Sequence, residues 1–157
     1  MGLQEELGFP NPIMNHEHET VLNIVLTVEM LAKEGDRMLR AFGLTDSQFN
    51  ILILLKYQAN NKEVNQTQLG RMLLVNRSNV TGLVDRMEQA GWVERKAEPG
   101  DRRVKRVRLT RAGSQLLEKA EKVYFDKIKS AMSDIPKETL DTLCNTLEVL
   151  RDRVKNV

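Results

Sequence analysis

The stretch Glu98 to Arg111 reads EPGDRRVKRVRLTR and holds six arginines or lysines in fourteen positions, in a chain whose formal net charge is only +2. Ala97-Glu98-Pro99-Gly100-Asp101 has the residue chemistry of a turn, and Val104-Lys105-Arg106-Val107-Arg108-Leu109 that of a strand. Just upstream, Trp92-Val93-Glu94-Arg95-Lys96 reads as a second strand, so the segment is a β-hairpin with Arg102 and Arg103 at its tip. Val104 and Val107 do not fall on one alternating face, which predicts a kink or bulge near Lys105 to Arg106. A charge run that merely solvates a surface has no reason to gather its arginines at a hairpin tip.

The residues before the hairpin give those arginines a context. A helix is predicted from Arg77 to Ala90, with Asn76 as N-cap and Gly91 as its stop. Val80, Leu83, Val84 and Met87 share one face by i, i+3, i+4, i+7 spacing and should pack inward. The opposite face carries Ser78, Thr81, Gly82, Asp85 and Gln89, flanked by Asn79 and Arg86, and such small hydrogen-bonding side chains read base edges. Taken alone, the same pattern suits an ordinary amphipathic surface helix. Gly82 costs about 1 kcal/mol of helix propensity relative to alanine, which is easier to understand where another surface comes close. A shorter helix begins near Gln66, after the polar turn Asn60-Asn61-Lys62-Glu63, and breaks at Leu74-Val75-Asn76. Two short helices followed by a basic hairpin make a winged helix-turn-helix, with one helix for the major groove and a wing for the backbone or minor groove.

Composition agrees with this reading. At 157 residues, with 41% apolar and 29% charged content, the chain can bury one substantial core but hardly two. Residues 71 to 111 hold eleven Arg or Lys against five Asp or Glu, a local balance of +6 that leaves −4 for the remainder. A basic centre between acidic flanks suits a protein whose one surface meets a polyanion. No apolar run is long enough to span a membrane, and the start MGLQEELGFPNP lacks a basic region followed by an apolar stretch, so the expected compartment is the cytoplasm. The lone Cys144 excludes an internal disulfide and multi-cysteine zinc sites. Aromatic content of 4% is too low for a base-stacking platform. No nucleophile–base pairing, metal-ligand spacing or phosphate-binding glycine loop points to an enzyme, and no cofactor is expected.

The flanks are helical. Met1 to Met14, with Pro10 and Pro12, has no periodic apolar positions and reads as an arm. From about His16 to Phe42, Val21, Ile24, Val28, Leu31, Met38 and Phe42 alternate in steps of three and four, interrupted only at Gly35, which marks a helix of roughly 40 Å. Leu22, Val25, Leu26 and Met30 widen its apolar face enough for more than one neighbour. Thr45-Asp46-Ser47-Gln48 has capping-box spacing for the next helix, which runs to about Tyr57. After the hairpin, Thr110 caps a long helix, and a final helix starts near Pro136 at an acceptable first helical position. Leu140, Leu143, Leu147, Leu150 and Val154 form a seam on that last helix, to be buried against the first helix or in a dimer interface.

Over nearly its whole length the chain resembles the MarR family of transcription regulators. The most specific element is Asp101-Arg102-Arg103-Val104-Lys105-Arg106-Val107-Arg108-Leu109-Thr110, which fits the family's wing pattern of D-x-R, five residues, then L-T. QTQLGRMLLVNRSNVTGLVDRMEQAGWVERK, residues 66–96, resembles its helix-turn-helix and first wing strand. The resemblance implies a mainly α fold with a small β-hairpin wing: an arm and dimerisation helix over 1–42, a winged helix-turn-helix over 43–110, and C-terminal dimerisation helices over 111–157, as one continuous folded unit. It implies that Arg103 enters the minor groove and that Asp101 helps hold the tip arginine, with Arg102 and Lys105 on the same wing. A guanidinium gains there from the negative potential of a narrow A·T-rich groove. Arg77, Ser78, Asn79, Thr81 and Arg86 are implied to face the major groove, with Gly82 among them, while Asn65, Gln66, Thr67 and Gln68 approach phosphates. The implied partners are double-stranded DNA, a second copy of the chain bound on a pseudo-palindromic operator, and a small amphipathic or phenolic effector that relieves repression.

Several residues admit other readings. Met30, Met38, Phe42, Phe49 and Tyr57 would suit an effector pocket, yet such residues at helical spacing are usually core, so no ligand site is assigned. His16 and His18 point about 200° apart on a helix, so no metal site is expected. Cys144 beside the Leu143 and Leu147 seam reads as inert packing, with a redox-responsive regulator as the alternative. A winged helix acting only as a protein-interaction module is the other alternative.

Overall fold

The computed structural model describes residues 2–59, 63–73, 80–98 and 101–156; for Glu98 and for Asp101 to Val104 it describes the backbone alone. The chain forms two compact units, residues 1–120 and 121–157.

In the first unit, the expected arm holds a short helix α1 (Leu3–Glu6) whose Leu3 is buried. One turn is too short to show an apolar period, and a single buried leucine, worth about 1.5–3 kcal/mol, anchors it. Helix α2 (His16–Arg40) starts at Asn15, whose side chain accepts from the His18 amide at 2.8 Å. Only Gly35 and Leu39 of α2 are buried, whereas Val21, Val25, Val28 and Leu31 are each at least half exposed. The capping box at α3 (Asp46–Tyr57) forms as the sequence predicts: the Gln48 amide donates to the Thr45 hydroxyl at 3.3 Å and the Thr45 amide to the Gln48 side chain at 2.9 Å. Phe49, Ile51, Leu52 and Leu55 are all buried, so α3 runs through the centre of the unit.

One strand escapes the sequence reading. Glu63, expected in a turn, begins β1 (Glu63–Asn65), which leads into α4 (Gln66–Met72). The other strands are β2 (Val93–Glu98) and β3 (Asp101–Leu109), and the hairpin is therefore part of a three-stranded antiparallel sheet in the order β1-β3-β2. Val64 stands opposite Val107, both buried, and three residues carry too little alternation to announce a strand. Arg108 faces Glu63 on one side and Glu94 on the other, and its guanidinium contacts both carboxylates, at 3.6 Å and 2.5 Å. The bulge expected near Lys105 to Arg106 lies elsewhere: pairing is regular from Val93–Leu109 through Ala97–Lys105, and the shift falls between Ala97 and Glu98, which faces Asp101. Val107, held between Val64 and Arg95, fixes the register along the ladder and moves the irregularity to the hairpin end.

Between α4 and the hairpin stands α5 (Val80–Gln89); the expected start at Arg77 with its Asn76 cap lies outside the described residues. Gly91 ends α5 with φ of +74°, and the Trp92 amide returns to the Met87 carbonyl at 2.9 Å. Thr110 ties this turn to α6 (Arg111–Ala131): its hydroxyl donates to the Gly91 carbonyl at 2.6 Å and accepts from the Gly113 amide at 3.0 Å. Gly113 lies so close that a Cβ there would stand 1.9 Å from the Trp92 carbonyl oxygen.

The second unit holds the end of α6 and α7 (Lys137–Lys155), with Pro136 as the N-cap of α7 rather than its first helical residue. Tyr124 and Phe125 meet edge to face at 5.5 Å between centroids. Helix α7 buries none of its residues; Leu140 and Leu147 are half-buried, whereas Leu143 and Val154 are 51% and 68% exposed, so the apolar seam is only partly covered within one chain.

Candidate nucleic-acid interface

Helix α5 is divided lengthwise. Val80, Val84 and Met87 are buried, Leu83 is half-buried, and Thr81, Asp85, Arg86 and Gln89 are exposed, with Gly82 intermediate. The buried set anchors the helix while the exposed set stays available. Arg77, Ser78 and Asn79 lie outside the described residues.

Two side-chain bonds position α4. Asn65 is its N-cap, accepting from the Gln68 amide at 2.7 Å, which commits the Asn65 oxygen to the helix start. The Gln66 side-chain amide donates to the Thr81 hydroxyl at 2.6 Å. Thr81 therefore accepts from its neighbour through its hydroxyl oxygen. Thr67 and Gln68 are exposed. A cleft of about 430 Å³ beside Gln68 is lined by the amides of Gln58, Asn65 and Gln68, the guanidiniums of Arg71 and Arg106, the carboxylate of Glu63, and Val64 and Met72.

The wing is joined to α5 by Arg95, a residue that sequence reading placed in a strand without further role. Its guanidinium meets Asp85 and Glu88 at 2.6 Å each and reaches the Thr81 carbonyl at 3.4 Å, while its backbone amide donates to Glu88 at 2.8 Å. The Arg95 side chain is only 12% exposed. That burial works against the charged form, but hydrogen bonds to Asp85 and Glu88, reinforced by their charges, outweigh it and hold the guanidinium above the usual arginine range. Asp85, expected on the outward polar face, is thus spoken for within the fold. The sequence signal was present in the i, i+4, i+7 spacing of Thr81, Asp85 and Glu88, but its partner is remote along the chain. Further along the wing, Lys105 is exposed on β3, and Asp101, Arg102 and Arg103 occupy the tip end of that strand.

The remaining candidates separate cleanly. Phe49 is in the core, Met30 is 55% exposed, and Met38 and Phe42 are half-buried. Tyr57 lines a cavity of about 590 Å³ with Leu55, Lys56, Arg108, Arg111 and Ser114. His16 lies 3.7 Å from Glu19, and no cluster of three or more metal-binding side chains occurs among the described residues. No helix is long and apolar enough to cross a membrane, among the described residues. Cys144 is exposed, so the packing expected for it is not provided within one chain: α7 has no buried face there.

The sequence model of the MarR family matches residues 42–104, which span α3, the helix-turn-helix and most of the wing. Over that segment the chain is similar to the MarR family. The chain is 27% identical over 128 residues to the HTH-type transcriptional regulator PecS of Dickeya dadantii, covering 81% of the chain and 77% of PecS. It is 29% identical over 120 residues to the transcriptional repressor MprA of Escherichia coli, covering 74% of the chain and 68% of MprA. Sco3205, a MarR family transcriptional regulator from Streptomyces coelicolor crystallised in complex with DNA, matches the structure with a TM-score of 0.78 at 21% identity, over 92% of this chain and 91% of that one. At that identity the likeness is one of fold. These relatives are named as transcription regulators, and the chain shares the winged helix-turn-helix fold of the MarR family structures.

Proposed function

We propose that this chain is a MarR-family regulator and binds double-stranded DNA as a homodimer, each protomer laying α5 in the major groove and its wing along the adjoining backbone and minor groove. The reading is carried by the two-sided α5, whose buried Val80, Val84 and Met87 anchor a helix with Thr81 and Arg86 exposed beside a basic strand. In this reading Arg77, Ser78, Asn79, Thr81, Gly82 and Arg86 meet the major groove. Arg103, with Arg102 and Lys105, serves the wing, and Asp101 holds the tip. Asn65, Gln66, Thr67 and Gln68 border the phosphates; the Gln66 side-chain amide already donates within the fold, whereas the Asn65 bond engages only its oxygen as an acceptor.

The partly uncovered apolar faces of α2 and α7 support the homodimer, and residues 1–42 and 111–157 form the parts devoted to it. Two copies related by a two-fold axis place their α5 helices about 34–36 Å apart, one turn of duplex, and the operator is pseudo-palindromic. Regulation is repression in the cytoplasm, relieved by a small amphipathic or phenolic effector. The cavity lined by Tyr57, Lys56 and Arg111 offers an aromatic wall and cationic groups to such a molecule.

Hydroxyl-radical footprinting on operators selected from randomised duplexes tests the reading. Two protected segments centred one helical turn apart, on a site with dyad symmetry, are expected. A single continuous footprint on every duplex would mean binding without readout, and no footprint would remove the DNA reading.

A further inference from the structure

We propose that Arg95 is a positioning residue for operator recognition: it sets the angle between α5 and the wing without itself touching DNA. The inference rests on the DNA-binding reading above and concerns a residue that this reading leaves unused.

Three observations carry it. Arg95 belongs to β2, yet its guanidinium reaches Asp85 and Glu88 and the carbonyl of Thr81, three positions in one row along α5. Glu88 is held twice, by the guanidinium through one oxygen and by the Arg95 backbone amide through the other, which fixes both the strand and the side chain against the helix. The Arg95 side chain is nearly covered, while Asp85 and Glu88 stand 50% and 39% exposed, so the cation is enclosed and its carboxylates are the outer layer. A guanidinium in that place satisfies two carboxylates through a planar fork and has little surface left for a phosphate. A lysine, with one point of charge, cannot span the same three acceptors.

The consequence is specific to recognition. Non-specific attraction to a duplex depends on the number of phosphates neutralised, which Arg95 does not change. Discrimination depends on α5 and the wing engaging their grooves together, as the bridge requires.

The test uses the full-length protein with Arg95→Gln and Arg95→Lys, a selected operator duplex, and a scrambled duplex of equal length, by fluorescence anisotropy over a salt series. Thermal unfolding and mass in solution are followed in parallel. The expected result for Arg95→Gln is a loss of operator affinity of about tenfold or more, a change on the scrambled duplex of less than about threefold, and an unaltered salt slope. For Arg95→Lys the operator-to-scrambled ratio should fall to an intermediate value while net charge and folding are kept, which holds the test open if the glutamine variant unfolds. A salt slope smaller by about 0.9 would show that Arg95 meets a phosphate and overturn the inference. So would an equal loss on both duplexes, or an unchanged ratio in the lysine variant. Failure of the wild-type protein to prefer the operator instead removes the DNA reading on which the inference stands.

Discussion

The side-chain amide of Gln66 donates to the hydroxyl of Thr81 at 2.6 Å, across the step from α4 to α5. Because Thr81 stands on the exposed face of α5, the bond orients from α4 a side chain proposed to meet the major groove. Gln66→Ala and Thr81→Val should each lower operator affinity, and the double variant should lose less than the two single losses combined. A coupling energy of about 0.5–1.5 kcal/mol is the expected size for one such bond. Strict additivity in anisotropy titrations would show that the two residues act separately.

Gly113 has a steric duty at the first turn of α6. A methyl group there would meet the Trp92 carbonyl at 1.9 Å, which forces the turn after α5 and the start of α6 apart. Gly113→Ala should destabilise the fold by about 1–3 kcal/mol, as overpacking does, despite alanine's better helix propensity. Urea unfolding measures this, and a variant as stable as wild type would contradict the close approach.

Burial, aided by the negative charge of Asp36, raises the Asp46 carboxyl above its usual range, against a hydrogen bond from Asn50 that acts the other way. A carboxyl that binds its proton more readily folded than unfolded costs stability when ionised, and regains it as pH falls through the raised pKa. Relative to Asp46→Asn, the wild-type protein should therefore gain stability as pH is lowered from 7 through the carboxylate range. Denaturation at a series of pH values checks the sign; a gap that widens against the wild type would reverse it.

Val28 and Leu31 of α2 are 60% and 52% exposed in the single chain. If these faces meet in a homodimer, Val28→Glu with Leu31→Glu should convert a particle of two 18.0 kDa chains into one of a single chain at micromolar concentration. Sedimentation equilibrium reads this directly. A wild-type monomer, or a dimer untouched by both charges, would place the interface elsewhere.

What was legible in the sequence follows the range of the interaction. The Thr45–Gln48 capping box, the Gly91 stop and the Thr110 cap act within a few residues and appear where the spacing put them. The inward set of α5 was readable because Val80, Val84 and Met87 repeat with the helix. Strand β1 was not, since three residues carry no periodicity and its partner β3 is some forty positions away. The Arg95 bridge joins a strand to the preceding helix through a turn, so its members look unrelated until folded. The hairpin bulge was foreseen in kind but displaced, because the register is set by Val107 packing against Val64 rather than by local alternation.

Sequence-specific binding is read by fluorescence anisotropy on a duplex from upstream of the protein's own gene and on a scrambled duplex of equal length, with wild type and Arg103→Ala over a salt series. Wild type should prefer the native sequence by about a thousandfold or more, with affinity falling steeply as salt rises. Arg103→Ala should form a weaker complex. Equal affinity for the two duplexes, or binding to neither by ligand-free protein, would contradict a sequence-reading regulator and withdraw the roles given to α5 and the wing.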